Sequence, residues 1–120
     1  MRLSVLILIG LLIFPMIVLA GEADVVKVAV ERQGDRYRFD VTVLHADGGW
    51  QHYADGWDVV APDGQIIATR VLYHPHVNEQ PFTRSLSGVV IDPEIASVTI
   101  RAHDLVHGYG GEEKIVKLPK

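Results

Sequence analysis

From residue 24 onward the chain runs in short stretches where apolar and polar residues alternate with a period of two, the signature of strands that bury one face. Val26, Val28 and Val30 alternate with Lys27, Ala29 and Glu31, which predicts a first strand ending at the turn Gln33-Gly34-Asp35. In the second, Tyr37, Phe39, Val41 and Val43 share one face and Arg36, Arg38, Asp40 and Thr42 the other; the inward phase runs on to His45. Ala46-Asp47-Gly48-Gly49 breaks the pattern, and a mixed stretch from Trp50 to Gly56 merges into a third strand near Trp57–Val60, with Trp57 and Val59 inward. Pro62-Asp63-Gly64 is a turn within a 57–72 hairpin whose second arm is Ile66–Leu72. A strand over Phe82–Ile91 follows, then the turn Asp92-Pro93-Glu94. Val98, Ile100 and Ala102 mark another strand, ending at His103, and Lys114–Leu118 is the last. No segment of useful length has a helical period. About seven short strands separated by turn signals predict an all-β, antiparallel, immunoglobulin-like β-sandwich, with a small barrel as the runner-up.

The first twenty residues belong to a different class. Met1-Arg2 opens positive, Leu3 to Leu19 is almost wholly apolar, and Val18-Leu19-Ala20 suits a cleavage site, so residues 1–20 are expected to be a signal peptide and 21–120 the β-domain. A second possible cut follows Ala23. The rival is an uncleaved anchor, but the run is short for a span and Pro15 interrupts it. No cysteine follows the apolar run, which excludes the lipid-modified form of this export route. The same lack of cysteine leaves neither disulfides nor thiol chemistry, so stability rests on packing. A periplasmic or secreted location is expected. Removing residues 1–20 takes away one of the 11 basic residues and none of the 15 acidic ones, moving the formal charge from −4 to −5. That balance argues against nucleic acid as a partner. No membrane span is expected after cleavage, and the oligomeric state is left open.

Arg38-Phe39-Asp40-Val41-Thr42-Val43, the hairpin from Trp57 to Gly64, and Val98-Thr99-Ile100-Arg101-Ala102-His103-Asp104 resemble strands of the fibronectin type III and immunoglobulin-like superfamily. The run from His74-Pro75-His76 to Arg84 and the segment His107-Gly108-Tyr109-Gly110-Gly111 are similar to small exported bacterial proteins without an assigned activity. The first resemblance implies a sandwich fold. It carries over no antibody-type role, because the inter-sheet cysteines and the tyrosine corner are missing.

Function is sought at one end of the sandwich. Strands joined by hairpins run up and down, so the connections near residues 45–55, 73–81 and 103–111 gather at one pole, together with all six histidines. The Tyr73–Pro81 connection is expected to be stiff, since Pro75 and Pro81 restrict themselves and the residues before them. His45, His52, His74, His76, His103 and His107 are candidate metal ligands, with zinc or copper(II) foremost because sulfur donors are nearly absent. His74 and His76 are two apart in an extended segment, which places their α-carbons about 6.5–7 Å apart and within reach of one ion. Asp47, Asp55, Asp104 and Glu79 are candidates to complete or orient such a shell. Histidines at strand ends also cap backbone groups or pair with carboxylates, and His45 fits a hydrogen-bonded core residue equally well.

Trp50, Tyr53, Tyr73, Glu79 and Tyr109 are candidate binding residues in the same loops, where aromatic side chains suit a recognition surface. Catalysis finds little support. The serines lie on or beside strands without a nucleophile elbow, His-Glu-x-x-His is absent, and the 108–111 glycines do not lead from a strand into a helix. The sequence therefore predicts a non-enzymatic exported binding module that recognises a protein or envelope partner through its loop end. The alternative is a transition-metal-binding protein.

Overall fold

Seven antiparallel strands fill residues 21–120, the part of the chain that the computed structural model describes; the expected signal peptide lies outside the described residues. They are β1 (Asp24–Gln33), β2 (Arg36–Leu44), β3 (Ala54–Val60), β4 (Ile66–Val71), β5 (Phe82–Val89), β6 (Ser97–Asp104) and β7 (Lys114–Lys117). Two sheets form, in the orders β1-β2-β5 and β4-β3-β6-β7, so the molecule is a sandwich rather than a closed barrel. No helix appears among the described residues, and none there is long and apolar enough to cross a membrane.

The alternation read from the sequence becomes the core. Phe39, Val41 and Val43 of β2 face Trp57 and Val59 of β3 and Val98, Ile100 and Ala102 of β6, all buried, with Phe82, Val89 and Leu72 closing the sides. Each such side chain withdrawn from water contributes about 1.5–3 kcal/mol, and in a chain without disulfides these terms are the main support of the fold.

Besides shifts of a single residue at the ends of β4, β6 and β7, three departures from the pattern stand out. In β1 the buried valine is Val25, not Val26: a bulge between Val25 and Lys27 inserts Val26 as an unpaired residue, so the phase before it is offset from that of Val28 and Val30. β3 starts at Ala54, three residues before Trp57, because Ala54 pairs with Asp104 and Gly56 with His103 across the sheet. β5 stops at Val89 rather than Ile91, though Ile91 remains buried.

The up-and-down path places the β2–β3, β4–β5 and β6–β7 connections at one pole, and all six histidines lie in or beside them. One glycine is required where the N-terminal stretch crosses this pole: a β-carbon on Gly111 would fall inside contact distance of the Ala23 carbonyl, where the Val25 amide donates to the Glu112 carbonyl at 2.8 Å.

Candidate metal centre at the loop pole

The inward phase of two strands continues past their last apolar residue into ionisable side chains. On β2 the series Val41, Val43 leads to His45, 2% exposed; on β6 the series Ile100, Ala102 leads to Asp104, which is fully buried. These two residues meet in the gap between the sheets. The 46–53 connection doubles back to supply a third. His52 donates its amide to Gly49 and accepts from Gly48, at 3.2 and 2.8 Å, and Gly49 takes a φ of 102° that lets the turn close. The His52 ring consequently lies edge-on to that of His45, with centroids 4.7 Å apart.

Asp104 is held from one side only. Its Oδ1 accepts the amides of Val106 and His107 at 2.9 and 2.7 Å, an Asx-type cap on the tight turn that Asp104 and Gly108 close through mutual main-chain bonds. The same oxygen is 3.2 Å from His52 Nε2 and 3.3 Å from His107 Nδ1. Oδ2 has no hydrogen-bond partner, although it is buried, and lies 3.9 Å from His45 Nε2. The other buried side-chain polar atom without a partner among the described residues is Trp57 Nε1, a donor unable to bind a cation. Burial by itself would raise the Asp104 carboxyl; the His107 and Val106 amides, then the nearby His45 and His107, outweigh it and hold it below its ordinary value.

His45 is oriented by a second carboxylate. Its Nδ1 lies 2.5 Å from Asp47 Oδ1, which also accepts the Ala54 amide at 3.0 Å. Asp47 acts as acceptor, so a neutral His45 ring carries its proton on Nδ1 and presents the Nε2 lone pair to the gap. That Nε2 is 3.2 Å from His52 Nε2. His45, His52 and Asp104 thus each offer a ligand atom, all within 4.8 Å of one another.

The other histidines divide into two groups. His103 follows the outward phase of β6 and stands on the outer face of the sheet. There its Nδ1 pairs with Asp55 at 2.5 Å and its ring meets Tyr109 edge-on. Asp58, buried beneath this group, accepts from Thr69 at 2.7 Å, from Arg101 at 3.3 Å and from the Tyr109 hydroxyl at 2.5 Å. The Arg101 guanidinium lies 3.9 Å above the Tyr109 ring. Burial and then the Asp58 carboxylate push the Tyr109 hydroxyl above its ordinary value. His74 is exposed, while His76 is buried, stacked on Phe82 at 4.1 Å, and 3.6 Å from Glu79. Of the aromatic candidates, Trp50 and Tyr73 are 67% and 74% exposed, and Tyr53 packs edge-on to Trp50.

Asp104 and Asp47 are the residues around which the site is built, yet composition alone does not single them out from other carboxylates. The available signal was the period of two: counting on from Ala102 reaches Asp104, and from His45 reaches Asp47, both at core positions.

No protein-family model matches the chain. A protein of Halomicrobium mukohataei named "Putative lipoprotein" is 40% identical over 96 residues, which make up 79% of this chain and 47% of that protein. The chain thus spans about half the length of that relative. The crystal structure of a hypothetical protein from Pyrococcus horikoshii OT3 is similar in fold, with a TM-score of 0.54 at 16% identity, over 83% of this chain and 92% of that one.

Proposed function

We propose that this chain is an exported, immunoglobulin-like, non-enzymatic binding module whose ligand is a divalent transition metal, zinc foremost, held by His45, His52 and Asp104. Export is supported by the leader-like residues 1–20 and by the name of the Halomicrobium relative. The sheet orders β1-β2-β5 and β4-β3-β6-β7 support the immunoglobulin-like assignment.

One observation carries the metal proposal: a buried carboxylate oxygen without a partner, Asp104 Oδ2, lies 3.9 Å from His45 Nε2, while the other oxygen of the same carboxylate lies 3.2 Å from His52 Nε2. Leaving such an oxygen unpaired costs about 1–3 kcal/mol, more when it is charged, and a cation bound among the three residues removes that cost. Two of the three ligand spacings are close to those around a tetrahedral ion. Bonds of about 2.0–2.1 Å place tetrahedral ligand atoms about 3.3 Å apart, whereas adjacent ligands in a square plane fall at about 2.9 Å. His52 Nε2 is 3.2 Å from both His45 Nε2 and Asp104 Oδ1, and Asp104 Oδ2 is 3.9 Å from His45 Nε2, an edge that a bound ion would draw in. His107, with its side chain one-third exposed and its Nδ1 3.3 Å from Asp104, stands at the solvent side, where it or a water takes the fourth position.

Calorimetric titration of the purified protein with zinc and with copper(II) tests this. One zinc per chain at micromolar affinity or tighter, lost in His52→Ala, is the expected result; absence of zinc binding overturns the proposal.

A second reading, recognition of a protein or envelope partner, is favoured by the exposed Trp50, Tyr73 and Val77 in the loops of the same pole. Pull-down from envelope extracts by the wild type and not by a Trp50→Ala/Tyr73→Ala double variant would support it.

A further inference from the structure

His45 is tied to the β4–β5 connection twice, by routes that avoid its metal-facing nitrogen. On the ring side, Nδ1 contacts Asp47 Oδ1 at 2.5 Å, and the other oxygen of that carboxylate accepts the His76 amide at 2.7 Å. On the main-chain side, the His45 amide donates to Gln80 Oε1, and Gln80 Nε2 donates to the His76 carbonyl, both at 3.0 Å. The N–H and C=O of His76 are therefore each held by one side chain that also holds His45. Among the described residues, positions 73–81 make no main-chain-to-main-chain hydrogen bond, so these two bridges are the main polar restraints on that loop's backbone.

From this we infer that occupancy of the metal site sets the order of the 73–81 loop, with Asp47 and Gln80 as the positioning residues that transmit it. The inference rests on the metal proposal above. A metal on Nε2 fixes the rotation of the His45 ring and keeps the proton on Nδ1, which gives Asp47 a fixed donor and leaves its second oxygen directed at His76. Without the metal, the ring is restrained by Asp47 and its packing alone, so the Asp47–His76 bridge is held less firmly. Exposed Tyr73 and Val77 are then held more firmly in the metal-bound protein than in the metal-free one. Coupling between binding and order is reciprocal, so anything that holds the loop also raises metal affinity by the same factor.

Amide hydrogen exchange on the full protein, with zinc chloride or with a chelator, tests the inference. The reporters are the amides of His76 and of Ile95, which bonds Asp92 at the opposite pole. Zinc is expected to slow exchange at His76 by at least roughly fivefold more than at Ile95, from the usual range of coupling between sites. Asp47→Ala should remove this difference. Because that substitution also strips the cap from Ala54, Gln80→Ala serves as the second variant, and it should keep one zinc per chain while reducing the difference. Zinc content is measured on the same samples. Absence of bound zinc refutes the metal proposal; bound zinc with equal slowing at both amides overturns only the coupling, since zinc would then act through global stability.

Discussion

His103 and Asp104 are consecutive on β6 and look to opposite sides of one sheet. His103 joins an outer-face network whose polar groups answer one another: Asp55 takes the His103 ring, and Asp58 takes Thr69, Arg101 and Tyr109. Asp104 enters an inner group whose carboxylate keeps one oxygen unpaired, with His45 and His52 turned toward it. Both groups mix histidine, carboxylate and a β6 strand position. What separates them is completeness. A network whose buried polar atoms all have partners stabilises the fold and leaves little for a ligand, whereas a buried acceptor left open is a cost that a ligand can relieve.

The sharpest way to separate the two groups is to remove one member of each. His52→Ala should weaken zinc binding at least about 100-fold, the loss of a direct ligand exceeding the 10–100-fold typical of a supporting residue. It should do so with little effect on the metal-free protein, because His52 is partly exposed. Asp58→Ala should do the opposite, leaving zinc affinity within a few-fold while lowering stability by about 2–4 kcal/mol, since Arg101 and the Tyr109 hydroxyl lose their buried acceptor. For a domain of this size that is a fall in Tm of about 10 °C or more, readable by thermal melts with and without zinc. Loss of zinc binding in Asp58→Ala, with the fold intact, would erase the distinction.

Much of this architecture was legible in the alternation of residues, and the failures have specific causes. The Phe39, Val41, Val43 face and the 57–72 hairpin follow from period and turn chemistry, because side chains of a half-buried strand must point to alternate faces. The phase of β1 was misplaced at Val26, since a bulge leaves no mark in a run of two valines. Gathering the histidines at one pole followed from connectivity. Sorting them did not, because sharing an end of the sandwich says nothing about which side of a strand a residue faces. Parity along the strand separates His103 from Asp104, and only the fold of the 46–53 loop brings His52 to His45.

Two smaller effects refine the comparison. His103→Ala should leave zinc affinity unchanged and lower stability by about 1 kcal/mol, the usual worth of a partly exposed hydrogen-bonded pair, as measured by urea denaturation. The pH dependence of the metal-free protein should carry a contribution from His76. Burial, followed by the charges of Arg84 and His74, holds its ring below the ordinary 6.5. With the folded value depressed, the unfolded chain takes up the proton first as pH falls. The contribution is therefore complete above 6.5 and declines as pH drops from there through the lower folded value. His76→Gln should flatten the stability profile between about pH 7 and 5 relative to wild type; an unchanged slope would mean that His76 titrates alike in both states.

The most direct measurement is nitrogen-15 NMR of the six histidine rings during a zinc titration. Zinc should shift Nε2 of His45 and of His52 at one equivalent, with His45 Nδ1 remaining protonated against Asp47 and the His103 signals unmoved. Rings that all stay unchanged, or a shift confined to His103 or His74, would contradict a metal centre built on Asp104.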